Sequence, residues 1–396
     1  MSSPKLILSL VVVLLLAVSV GTVIAQEPTL ISADAFTGTA IIWDDQSLSD
    51  AITYTLTNVP AASPGAEYVG WLVSDDGSTK LSTGIMEVAE DGTVSHAFNS
   101  ENPRYTGENL IQNYGKVVVT QEAEGTDPDE PAGPAAFSHE IPSDAIAHIR
   151  HLLSNWPVGT GVGILTNLQL QLEVAITHAN LANDQTSLAA VSSHLEHVIN
   201  AIEGPSGDNY GDLDGNGSIE DFGDGIGVIL HAQDRKHAGF AAGAALGDEA
   251  FEMHSVAVDV NGKNAEDLAV QAVTEALFAM NETDLSFAKI SVAGVIAFLE
   301  SAKNGVDADA SGTIDSVVGE GGAAQAYVEA QLMATYNLQI GPPPTPPTPA
   351  PPTATPIPPE SVGDPAIPQL AQLALLASLV FLIGGGFVVL SRRPRA

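Results

Sequence analysis

Two hydrophobic periods divide the chain. From Pro28 to about Phe137 apolar and polar residues alternate over short runs. Ala51–Leu56 alternates strictly, while Tyr68–Val73 and Lys116–Thr120 are rich in β-branched and aromatic residues. Asp76-Gly77, Asp91-Gly92 and the Pro/Gly/Asp cluster from Gly125 to Pro134 supply turns between them. Short strands at turn-bounded intervals predict an antiparallel β-sandwich over residues 28–140.

From Ser143 the period lengthens to that of helices. Ser143 is placed to cap a first helix, whose stripe is Ile146, Ile149, Leu153 and Trp156 and which Pro157 stops. A second helix is expected over about 162–182 and a third over 188–203, ended by Gly204. Further helical patterns fall at about 225–233, 265–280, 287–303 and 321–336. One-sided helices must bury their stripes against each other, which predicts an all-α bundle over residues 141–340.

The ends read differently. Residues 1–25 form a signal-peptide pattern: Lys5, an apolar stretch from Leu6 to Val18, and a small-residue cleavage site at Val23-Ile24-Ala25. A proline-rich linker occupies residues 341–366, and its Pro342–Pro359 run suits an extended stalk of roughly 50 Å. Leu370–Leu390 is apolar and long enough to cross a bilayer, so residues 368–391 are expected to be a transmembrane helix. Residues 392–396, with three arginines, then make a short cytoplasmic tail by the positive-inside rule. The predicted class is thus multidomain α+β: a sandwich, a bundle, a stalk and one C-terminal anchor at the plasma membrane.

Charge narrows the partners. With 48 acidic and 13 basic residues the formal charge is -35, which argues against nucleic acid and anionic surfaces and points to cations or an extracellular ligand. The absence of cysteine excludes disulfides, thiolate zinc sites and cysteine nucleophiles.

Two acidic loops carry the clearest motif. Asp212, Asp214 and Asn216 place oxygens at positions 1, 3 and 5 of a calcium loop, with Gly217 at 6, the Ser218 carbonyl at 7 and Glu220 at 9. Asp307, Asp309, Ser311, Gly312, Thr313 and Asp315 repeat that spacing. Both loops resemble EF-hand and dockerin loops over nine residues, and both lack the acidic twelfth residue; Gly223 and Val318 stand there, with Asp224 and Glu320 nearby. Such loops suit millimolar extracellular calcium, and the competing reading is polar turns plugged by Ile219 and Ile314.

Histidines offer a second chemistry. His148 and His151 form an i, i+3 pair on the first bundle helix, His178 lies on the second, and His194 and His197 form another pair on the third. Imidazoles so spaced can bind zinc, copper or a non-covalent haem. The helical wheel, however, turns His151 and His197 away from their own apolar stripes, which predicts solvated side chains or a pH-responsive surface cluster. No Glu-x-x-His, Gly-x-Ser-x-Gly, His-Glu-x-x-His or phosphate-loop motif occurs, so no enzyme class is indicated.

One resemblance covers residues 30–140. Tyr68-Val-Gly-Trp71-Leu, Gly84, Asp91-Gly92-Thr93, Val117-Val-Val-Thr120-Gln-Glu122 and Pro131-Ala-Gly133-Pro134 follow one another in an order that resembles the extracytoplasmic C-terminal domain of bacterial anti-sigma-K factors. The resemblance implies a β fold and an extracytoplasmic, sensory setting. It implies no sigma-factor binding here, because a signal pattern precedes the domain and almost nothing follows the expected anchor. The functional expectation is a membrane-anchored, non-enzymatic surface protein for binding, adhesion or envelope sensing, with transition-metal or haem binding as the alternative.

Overall fold

Alternation in the N-terminal half becomes two antiparallel sheets in the computed structural model, which describes residues 36–126 and 128–342. The first sheet holds β1 (Thr37–Trp43), β2 (Ala51–Thr57) and β5 (Val94–Phe98). The second holds β3 (Ala66–Val73), β4 (Lys80–Met86), β6 (Lys116–Ala123) and β7 (Ala135–Glu140). Inward residues of both, among them Ile42, Tyr54, Leu56, Tyr68, Leu72, Val117 and Phe137, share one core. The signal-type, linker and anchor segments lie outside the described residues.

The outer face of β3 is buried as well. Val69, Trp71 and Val73 form a second small cluster, and a chain of hydrogen bonds fixes it: Trp71 Nε1 donates to Thr120 Oγ1 at 2.9 Å, and Thr120 Oγ1 donates to Glu122 Oε1 at 2.5 Å. Glu122 then accepts from the backbone N–H groups of Ala132 and Gly133, pinning the returning loop. A Cβ on Gly133 would stand 1.8 Å from the Gln121 carbonyl oxygen, so only glycine permits this approach. Several residues carrying the anti-sigma-type pattern are therefore one connected buried network.

Helices follow: α1 (Leu110–Asn113) within the sheets, then α2 (Ser143–Leu153), α3 (Ile164–Asp184), α4 (Leu188–Glu203), α5 (Val228–Gln233), α6 (His237–Ala244), α7 (Glu249–Met280), α8 (Leu285–Asn304) and α9 (Ala323–Met333). Three details differ from the periodicity, and α8 has a further property. Pro142, not Ser143, stands at the N-cap of α2, and no side chain caps it. A helix at 237–244 has too little amphipathic contrast, HAGFAAGA, to show in the pattern. Helix α7 starts sixteen residues earlier than expected, at the Asp248 cap, which accepts from Ala250 N and Phe251 N. Helix α8 is long and apolar enough to cross a membrane, yet Ser291, Val292, Val295, Leu299 and Ala302 are buried on one of its faces.

The chain ends its helical stretch by returning to the sheets. β8 (Tyr336–Asn337) pairs with β1, and β9 (Gln339–Ile340) pairs with β7, so each sheet gains a strand from residues expected to be helical or interhelical. The final orders are β5-β2-β1-β8 and β4-β3-β6-β7-β9. One hydrophobic cluster runs from Phe36 to Leu338, so the boundary drawn at residue 140 falls within one compact unit. Tyr336 is fully buried and its hydroxyl donates to the Tyr114 carbonyl at 3.0 Å.

Because Tyr336 joins the two parts, Tyr336→Ala is expected to destabilise by about 3–5 kcal/mol and Tyr336→Phe by about 1 kcal/mol. Circular dichroism should show helix and sheet melting together in both; separate transitions would contradict a shared core.

Candidate metal centres

Helix α4 is covered on two faces. Val191, Leu195, Val198 and Ile202 meet the other helices, while residues 205–227 fold back over the opposite side. Gly204, at φ 62°, turns the chain out of the helix, and its backbone lies against Ile226 and Gly227 as the loop returns. The contacts are polar. Glu196, fully buried, accepts from Leu213 N and Asp214 N through Oε2 and from Glu220 N through Oε1. Asn200, also fully buried, donates to the carbonyls of Gly211 and Glu220 and accepts from Gly211 N.

The second acidic loop is built to the same plan. Glu320 accepts from Asp309 N and Asp315 N, the third and ninth loop positions, as Glu196 does from Asp214 and Glu220. Gly217 N and Gly312 N each donate to the first-position aspartate at 2.9 Å. Asn264 on α7 takes the Gly319 amide as Gln171 on α3 takes that of Asp224, at equivalent places in the two loops. The structure thus contains the unit of two helices, acidic loop and short helix twice.

Oxygens converge in both loops, from Glu196, Asp212 and Asp214 in the first and from Asp307, Asp309 and Glu320 in the second, each set within 4.8 Å. Glu320 therefore fills the place of the absent twelfth residue in its loop. In the first loop that part falls to Glu196, sixteen residues upstream of Asp212 and outside the motif frame; the missing acid was the only sign that a carboxylate had to come from elsewhere. Asp224 does not join the loop: its carboxylate meets His231 Nε2 at 2.6 Å and caps Ile226 N. Glu220 faces His197, Asn216 Oδ1 accepts from Ser218 N, Ser311 meets Thr313, and Thr313 donates to Asp315.

The histidines are gathered rather than solvated. His178, His194 and His197 offer nitrogens within 4.8 Å of one another, and so do His148, His151 and His237. His197 is only 7% exposed because the returning loop sets Glu220 and Phe222 over the face that the wheel assigns to water. His151 is likewise covered by Trp156 and by His237 at the start of α6, the helix without a pattern. Unrecognised covering segments, not the phase of the wheel, account for the difference.

Each trio is short of hydrogens. His197 Nδ1 lies 3.1 Å from His178 Nδ1, and His237 Nδ1 lies 2.9 Å from His148 Nδ1 and 3.2 Å from His151 Nδ1. A neutral imidazole has one N–H and one lone pair, so in each facing pair one nitrogen donates at most a single hydrogen and the other offers its lone pair. His194 Nδ1 is buried without a hydrogen-bond partner in the described structure. Burial, then the neighbouring rings, hold His178 and His237 down to about 4. His178 and His237 therefore stay neutral and able to ligate at ordinary pH. His197 Nε2 meets Glu220 Oε2 at 3.0 Å, the carboxylate–histidine arrangement that orients a metal ligand and raises its basicity.

Comparison with protein-family models, curated proteins and solved structures finds no match to the chain.

Glu196→Ala strands three backbone amides and should cost about 3 kcal/mol or more, read as a lowered unfolding midpoint in denaturant. Metal-free protein should also respond to acid. The unfolded chain takes up protons below about pH 6.5, while His178 and His237 resist until about 4. Stability should hold above about 6.5 and fall as pH drops toward 4, and His178→Gln should flatten that slope in pH-dependent thermal melts.

Proposed function

We infer that this chain is a membrane-anchored, extracytoplasmic metal-binding protein that holds divalent transition-metal ions in two three-histidine sites, on a scaffold whose acidic loops take calcium. The carrying observation is that each i, i+3 pair acquires a third histidine from another helix, His178 for His194 and His197, and His237 for His148 and His151. All-nitrogen sets without thiolate suit zinc, copper(II) or nickel. The rings of each helical pair lie 5.5–5.7 Å apart and edge to face, which favours a single ion over a haem. The signal-type segment, the apolar run at 368–391, the acidic charge and the anti-sigma-type resemblance support placement outside the cell. The protein then binds, buffers or senses metal at the envelope, and the calcium loops brace the helices that present the histidines.

Full-length protein purified in detergent and stripped of metal should retain two equivalents of zinc, with His194→Ala and His237→Ala each losing one. Retention of less than one equivalent by the intact chain would defeat this function. Millimolar calcium should raise the melting temperature of the wild type but not of Asp212→Ala combined with Asp307→Ala.

A further inference from the structure

Resting on the metal-binding reading, we propose that zinc in the His178/His194/His197 site forms a hydrolytic centre for small neutral carbonyl compounds. The trio provides three nitrogens, and the nearby Glu220 carboxylate is engaged with His197 Nε2, the nitrogen opposite the one that meets His178. Three protein ligands leave a tetrahedral ion one position for water, the arrangement of catalytic rather than structural zinc. Open space borders the trio at His178. His178 and Phe222 also line a cavity of about 320 Å³ together with Leu170, Val174, Thr177 and Glu173. Phe222, 56% exposed, lays its ring 4.7 Å from His178 and 4.6 Å from His197, so an apolar wall runs from the cavity to the ligands.

The lining selects the substrate. It contains no lysine or arginine, and Glu173 is already paired with Lys303, so the cavity offers no free cation to hold a phosphate ester or a carboxylate. Leu170, Val174 and Phe222 suit a small acyl or alkyl group, as in a short-chain ester. Bound water gives up a proton to solvent and its oxygen attacks the carbonyl carbon. The new C–O bond forms as the ester C–O bond breaks, and the departing alkoxide takes a proton from water. Zinc polarises the water without changing oxidation state, so no other reactant is needed.

The test uses full-length protein in detergent, stripped and reloaded with zinc, with 4-nitrophenyl acetate as the probe. Zinc-loaded wild type and His237→Ala should hydrolyse it roughly tenfold or more faster than metal-free protein, and His194→Ala should not. Val174→Trp and the more exposed Leu170→Trp fill the cavity without removing a ligand; both should keep zinc and lose most of the rate. With cobalt(II) in place of zinc, azide should change the visible spectrum of His237→Ala, reporting an exchangeable fourth ligand. Zinc held at the trio with a rate no higher than that of His194→Ala, or an azide-insensitive cobalt spectrum, would overturn the hydrolytic centre while leaving metal binding intact. Failure of His237→Ala to retain zinc would overturn the metal-binding reading beneath it.

Discussion

Backbone amides in a loop that packs onto a helix lose water and must find acceptors, and in this protein that requirement falls on two carboxylates. Glu196 serves Leu213, Asp214 and Glu220, and Glu320 serves Asp309 and Asp315. An unsatisfied buried amide costs on the order of 1–3 kcal/mol, so either loop would lift away without its glutamate. The surroundings of the His178, His194 and His197 trio depend on that seating. The loop carries Glu220 to His197 and Phe222 to the rings of His178 and His197.

Much of the architecture was legible because hydrophobic periodicity reports packing directly. Helix α4 occupies the residues its stripe predicts, and the alternation at 51–56 and the strand formers at 68–73 mark β2 and β3. The failures share a cause. A polar helix face buried under a polar loop has the same sequence signature as one in water: His197 reads as solvated, and it is buried together with Glu196 and Asn200. Helix α6 lacks an apolar stripe, so His237 could not be assigned to the pair it completes. Strands of two residues, β8 and β9, are too short for any period to register.

The candidate site was half readable in the same sense. Spacing identified five of the six histidines and the loop aspartates, since those signals are local. The third histidine of one trio and the carboxylate seating the first loop come from distant segments, and only tertiary structure supplies them. The two halves of the bundle also repeat: helix pair, acidic loop and short helix recur, but only the first copy carries a histidine trio, the other trio lying on α2 and α6 outside both copies. The scaffold is thus common to both copies, and the histidine trio is an addition to one of them.

The return of the chain to the sheets after α9 has a mechanical consequence. β8 and β9 are joined to β1 and β7 by two residue pairs each, at the outer edge of their sheets. Tension applied at residue 342 reaches these pairs first and peels them one at a time, which needs far less force than shearing a long strand. The buried side chain of Tyr336, within β8, adds the next point of resistance. A protein tethered through this end would therefore yield at its edges before its helices, and the histidine trios would stay folded under loads that open the sheets.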